Sequence, residues 1–349
     1  MPKSSNPDVI IVGSGPAGAA SAISCAQRGL NVVIIEEEQF PRYRPGETLH
    51  PGMEPLLKEL GVAEQIQKAG FLRHKGNWVQ WELEKRFVPF GSDEAGPWLG
   101  YQAWREDFDA ILLERAISLG VEVCQPCRAL RPIINHNRVA GVVTSDAEVC
   151  SSFVIDATGR RQWLAQKLKL RINKYSPRLI ARFGYVEGEC PVRDDAPSIV
   201  VDNKGWTWTA RVRPHVYQWT RLSFVNEVLE KGWLPEEFQG LKPLGKTSGA
   251  NMTWRMAIQP GGPGYFLVGD AAAVLDPASS HGVLKAIMSG MMAGHLIAQI
   301  VKEGHREYNA IRVYCKWICD WFEHDVEELR KLYAPLHNFN TLSDRPFPE

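Results

Sequence analysis

Two stretches of this 349-residue chain carry residue types at spacings that chemistry can use. The first is Gly13-Ser14-Gly15-Pro16-Ala17-Gly18, entered from the apolar run Asp8–Val12 and left through an Ala-rich segment. Its glycines have the spacing of a dinucleotide-binding turn. Gly13 allows the tight turn, Gly15 a close backbone approach to a pyrophosphate, and Gly18 close helix–strand packing. Pro16 and Ala17 would open a helix whose free N–H groups and positive dipole end meet the phosphates. Glu36 closes the next apolar run, at the point where a carboxylate accepts from ribose hydroxyls. The second stretch is DPASSHGVLKAIMSG, Asp276 to Gly290. It reads as a proline turn that delivers a helix, with Gly282 and Val283 offering backbone N–H groups where negative charge develops. His281 is the candidate proton carrier or local cation, because its reference pKa of about 6.5 lies near neutrality.

The elements that must position these residues follow from the hydrophobic pattern. Strand Asp8–Val12, helix Pro16–Arg28 stopped by Gly29, and strand Val32–Ile35 form a βαβ unit. A helix is predicted over Met53–Lys68, Trp-rich strands between Trp78 and Trp104, and a helix ended by Gly120 over REDFDAILLERAISLG. Strands fill Val121–Ile155, and the Val, Trp and Thr alternation from Ile180 to Phe224 predicts an antiparallel sheet. A buried strand follows in GYFLVGDAAAV, and the last long helix covers Ala310–Leu332. The expected fold is α/β: a Rossmann-like, three-layer βαβ domain interleaved with an antiparallel-sheet substrate domain, with a long C-terminal helix. The expected boundaries are 6–75, 100–178 and 255–305 for the first domain, 76–99 and 179–254 for the second, and 306–349 for the helix and tail.

Lys plus Arg equals Asp plus Glu at 40 each. A formal charge of zero argues against a partner held by bulk electrostatics, so neither nucleic acid nor an anionic membrane is expected. No uninterrupted apolar run of membrane-spanning length is evident. The N-terminus enters a strand at once without a signal-peptide core, which makes a cytoplasmic location the expectation. Seven cysteines at irregular spacing suggest no disulfide framework, and the lone Cys124-x-x-Cys127 has no second pair at zinc spacing. No metal is expected.

The residues alone leave FAD and NAD open. Three later segments resemble p-hydroxybenzoate-hydroxylase-type flavoproteins, in that family's order: YQAWREDFDAILLERA, FVIDATGRR (Phe153–Arg161) and YFLVGDAAAVLDPASSHG. The resemblance implies FAD, with Glu36 on the ribose, Arg105 near the pyrophosphate, Asp156 and Gly159 on the turn that passes the cofactor, and Asp270 on the ribityl chain. RYRPGETLHPGMEPLL (Arg42–Leu57) resembles the corresponding loop of flavin-dependent halogenases and geranylgeranyl-reductase-like enzymes. It contributes Arg44 and Thr48 as candidate cofactor contacts and His50 as a second candidate for proton transfer.

Two departures from the halogenase pattern are visible. GWTWTARV supplies Trp206 and Trp208, but Ala210-Arg211 stands where Ile-Pro would complete that family's motif. In GFLRHKGNWVQW the frame set by Phe71 and Gly76 puts His74 at the family's lysine position, and Lys75 serves only if the loop shifts register. Trp206 and Trp208, two apart on a strand, share a face and are candidates with Lys75 for a substrate pocket. The chain looks most like the flavoproteins that mature the cysteine tryptophylquinone of amino-acid oxidases and amine dehydrogenases. That resemblance implies a monooxygenase hydroxylating an aromatic small molecule, or a tryptophan in a partner protein, through a flavin C4a-hydroperoxide. A separate flavin reductase or NAD(P)H would supply electrons. The alternatives are a halogenase of an indole or phenol, a saturating reductase of isoprenoid double bonds, and a non-catalytic flavoprotein chaperone.

Overall fold

The computed structural model describes residues 6–81, 84–224, 227–334 and 336; the first five residues and the tail from 337, assigned above to the last segment, lie outside them. At its centre is a six-stranded sheet in the order Glu122–Cys124, Val32–Ile35, Val9–Val12, Phe153–Asp156, Tyr265–Leu267, Gly261–Gly262. All neighbouring pairs are parallel except the last, which is a short hairpin. Its middle strands are buried at every position, as the continuous Val/Ile runs require for a sheet covered on both faces. Register aligns Val12 with Ile35 and with Asp156. The loops that follow, carrying Gly13, Glu36 and Ala157, therefore emerge together at the carboxyl edge, where open α/β sheets take ligands.

Helix Pro16–Gln27 packs on this sheet, and helix Gly282–Glu303 lies against it. A Cβ on Gly290 would sit 2.3 Å from the Ala17 carbonyl oxygen, and one on Gly294 2.8 Å from Ser24 Cβ. This small-residue ridge sets the separation of the two helices. By length and composition Gly282–Glu303 could cross a membrane; Lys285 and His295 interrupt its apolar run. Half of its most apolar 18-residue stretch is buried within the fold.

The second large sheet has seven strands, in the order Lys242–Asn251, Ile180–Glu187, Val216–Ser223, Gly205–Arg213, Ser198–Asp202, Gly76–Gln80, Arg86–Pro89. It is antiparallel except where Ser198–Asp202 runs alongside Gly76–Gln80. The edge strand Lys242–Asn251, KPLGKTSGAN, was not foreseen, because its glycines, Pro243 and lysines do not read as strand. Helix Glu307–Tyr333 joins the two sheets: Tyr314 donates to the Leu267 carbonyl of the first, and Trp206 Nε1 of the second donates to Tyr333 Oη. The single helix expected over Met53–Lys68 is two, Met53–Leu60 and Ala63–Lys68, broken where Gly61 takes φ +71°.

Candidate active site

The glycine turn is sterically forced. Gly13 has φ +98°, and a Cβ there would lie 2.6 Å from the Ala157 carbonyl oxygen; one on Gly18 would lie 1.9 Å from the Gly13 oxygen. Gly15 differs, since its Cβ would meet only the Arg42 guanidinium at 3.3 Å. Pro16 opens the helix with no side-chain cap, which leaves its first N–H groups available. Glu36 is buried; Oε2 accepts from Ser14 N and Oγ, each at 2.8 Å, and Oε1 from Glu38 N at 3.0 Å. A carboxylate has about four acceptor positions, so capacity for a ribose hydroxyl remains. Backbone bonds from Glu36 N to Cys124 O and from Cys127 N to Glu36 O tie the CxxC segment to this carboxylate's strand.

Arg42, which the sequence reading passed over, lies across the turn 3.8 Å from Glu36, with Nε buried and unpartnered. Arg44, expected there, instead grips Glu38 through two hydrogen bonds of 2.9 and 3.1 Å at a partly open position. Of two arginines two apart on one loop, Arg42 is largely buried and Arg44 half-exposed, and nothing in the sequence says which turns inward.

The other FAD candidates divide. Arg105 forms a two-pronged bond with buried Asp109 (2.7 and 3.0 Å) and reaches Glu47 at 3.3 Å. Burial pushes the Asp270 carboxyl up, while Arg160, Arg255 and Arg105 act to hold it ionised. Gly269, at φ +56° and with no room beside Ala17, brings Asp270 to the glycine-turn helix. Glu47 shares this field; burial raises its pKa and Arg105 opposes the shift. Asp156 needs correction as a cofactor contact. Oδ1 accepts from Thr158 N and Oγ1, Oδ2 from Leu164 N at 2.7 Å, and the residue is wholly buried. It builds the turn instead, leaving Gly159, at φ +63°, with open space beside it. Thr48 exchanges hydrogen bonds with Gln102.

His281 occupies the N-cap position of Gly282–Glu303 but its side chain does not cap that helix. A Cβ on Gly282 would meet nothing within 4 Å, so the helix opens into free space; Val283 is buried. The structure brings the two predicted histidines together, His50 edge-on to His281 at 5.5 Å. Burial, then the charges of Lys285 and His50, lower the His281 pKa to about 4; burial lowers that of His50 too. At neutral pH His281 is therefore an uncharged imidazole, which can accept or pass a proton but not supply the cation considered above. Phe90 sits between His50 (5.5 Å) and His74 (5.3 Å). His74 is 2% exposed and contacts Gln102 at 3.1 Å, while Lys75 is exposed. His74, at the position the resemblance gives to a lysine, thus faces inward and Lys75 faces solvent. Trp206 is fully buried, and Tyr333 meets its indole N–H. The face expected to be open at Trp206 is thus filled, and Trp208 is half-buried beside it.

A family model described as an FAD binding domain matches residues 6–315. The chain belongs to the FAD binding domain family. Its relatives include the 1H-pyrrole-2-carbonyl-[peptidyl-carrier protein] brominase of Pseudoalteromonas luteoviolacea, 29% identical over 89% of this chain and 81% of that one. The tryptophan 2-halogenase of Chondromyces crocatus is also 29% identical, over 85% of this chain and 62% of its own length. Among solved structures, the flavin-dependent brominase Bmp2 superposes with TM-score 0.81 at 24% identity, covering 97% of this chain and 90% of that one. The myxobacterial chondrochloren halogenase CndH gives 0.85 at 21%, covering 99% and 87%. Those likenesses show the fold. A variant of the halogenase PltM solved with FAD has TM-score 0.74 at 18% identity, covering 89% and 73%.

FAD is the cofactor of this family member, and its residues fit the molecule. The Gly15 cradle, the orphaned Arg42 Nε, the half-buried Asp270 in the field of Arg160, Arg255 and Arg105, and the open N-terminus at Gly282 are what a ligand with phosphates, a ribityl chain and an anionic ring edge needs. The protein is an FAD-dependent oxidoreductase. The named activity of its curated relatives is halogenation, so the comparisons favour the halogenase alternative over hydroxylation.

Proposed function

We propose that this chain is a flavin-dependent halogenase-type enzyme that modifies an electron-rich aromatic ring, with a separate flavin reductase as its electron source. The observation carrying this reading is the open N-terminus at Gly282 with the neutral His281–His50 pair beside it, in a chain whose curated relatives are named for halogenation. Reduced FAD, when bound, supplies the activation of oxygen. Gly282 and Val283 N–H groups favour negative charge at the ring edge, by about 1 kcal/mol. Neutral His281, half-buried, moves a proton with half-buried His50 behind it. The test supplies purified protein with FAD, a flavin reductase, NADH, oxygen and bromide, and offers a pyrrole, an indole and a phenol. Brominated product supports the reading; product formation indifferent to halide defeats it.

A second reading, hydroxylation of an aromatic ring or of a tryptophan in a partner protein bound for a tryptophylquinone, has one observation in its favour. Buried, neutral His74 stands where the halogenase resemblance calls for a lysine, and Lys75 faces solvent. Labelled oxygen from O₂ in the product, with halide absent, selects it.

A further inference from the structure

The last residue of the C-terminal helix, Tyr333, is held the way proteins hold aromatic ligands. Trp81 and Trp254 lie near-parallel to its ring, at 5.6 Å and 19° and at 5.9 Å and 21°. Phe224 meets it edge-on at 5.1 Å, so stacked and T-shaped contacts combine. Its hydroxyl accepts from Trp206 Nε1 at 2.9 Å and bonds the Asp276 carboxyl. The receptor groups come from separate segments of the chain, while the ring they enclose comes from the end of a long helix. Asp276 also starts the turn that delivers Gly282 and His281, and its carboxylate accepts from Ala278 N. A buried carboxylate is unfavourable without donors, and here the ring's own O–H is one of them.

We propose that this aromatic box is the subsite for the ring of an aromatic substrate bearing an O–H or N–H donor, and that Tyr333 occupies it as a built-in competitor. The proposal rests on the reading that the substrate is aromatic. The incoming ring replaces Tyr333 between the two tryptophans and donates to Asp276, and the end of helix Glu307–Tyr333 withdraws. Trp81 Nε1, which donates to the Leu332 carbonyl at 2.6 Å, is released in the same movement. No bond is made or broken in this exchange.

Hydrogen–deuterium exchange on the full FAD-loaded chain tests the proposal, with p-cresol and 3-methylindole as probes. A saturating probe should speed exchange over residues 318–334 and leave Pro16–Gln27 unchanged. Tyr333→Phe keeps the ring but removes the hydroxyl contacts, so p-cresol should bind about tenfold tighter to it than to the native chain. Whichever probe opens the helix identifies the donor the box accepts. Binding of either probe with no change in helix exchange would overturn the proposal, as would no binding to native and Tyr333→Phe proteins alike. Neither readout involves turnover: displacement without product would fault the catalytic reading alone, and product without displacement would fault the box alone.

Discussion

Gly282 and Gly290 lie on one helix and should respond to alanine in opposite ways. At Gly290 the new Cβ would lie 2.3 Å from the Ala17 oxygen and 2.9 Å from Ser21 Oγ. Ordinary contact begins at 3.4 Å, so the two helices must part by about 1 Å. Such overpacking costs about 1–3 kcal/mol, and the better helix propensity of alanine returns up to about 1 kcal/mol. The net loss of roughly 1–2 kcal/mol should lower the melting temperature of the apoprotein by a few degrees. At Gly282 the new methyl meets nothing within 4 Å, and the apoprotein should melt as the native chain does. On the proposed placement of the flavin edge against the Gly282 and Val283 N–H groups, the methyl would obstruct its approach, so FAD affinity should fall by about tenfold, equivalent to about 1.4 kcal/mol. Calorimetry of the apoproteins and fluorescence titration with FAD separate the two effects. Native FAD affinity in Gly282→Ala would refute the placement of the ring. Unchanged melting of Gly290→Ala would refute the tight helix contact.

Arg42→Gln should weaken FAD binding by about tenfold, as loss of a charge-assisted hydrogen bond, whereas Arg44→Gln should leave it near native; titration of both compares them. Asp276, raised by burial to about 6, is disfavoured as a carboxylate in the fold, whereas its unfolded counterpart ionises near about 3.9. Its contribution is therefore complete below that pH and lost as pH rises through 6. Asp276→Asn should flatten the stability profile between pH 4 and 6, as followed by denaturant unfolding. His281→Ala should retain FAD but lose turnover by about hundredfold, the lower end for a positioned proton carrier; full turnover would return His281 to a structural role.

Local signals were legible in the sequence. The glycine turn and strand Val32–Ile35 fell where expected, because a tight turn and a two-sided buried strand each dictate residue types over a few positions. Gly290 lay in a stretch read only as helix; its role follows from the approach of Ala17, more than 250 residues earlier, which no local pattern encodes. The inward choice of Arg42 over Arg44 and the saturation of Asp156 by its own turn likewise depend on the surrounding fold. Trp206 was legible as an aromatic strand residue, but not as one whose indole meets a tyrosine from the far end of the chain. The sequence frame of Phe71 and Gly76 assigns His74 to the lysine position, but that His74 is buried and Lys75 exposed is decided by the surrounding fold.

The central claim is that the flavin ring lies against the start of helix Gly282–Glu303. A crystal structure of the FAD complex tests it most directly. The account predicts the pyrimidine edge within hydrogen-bonding distance of the Gly282 or Val283 N–H, with the diphosphate at Gly15 and Arg42. A ring bound away from that helix, with Gly282 still open, would contradict it.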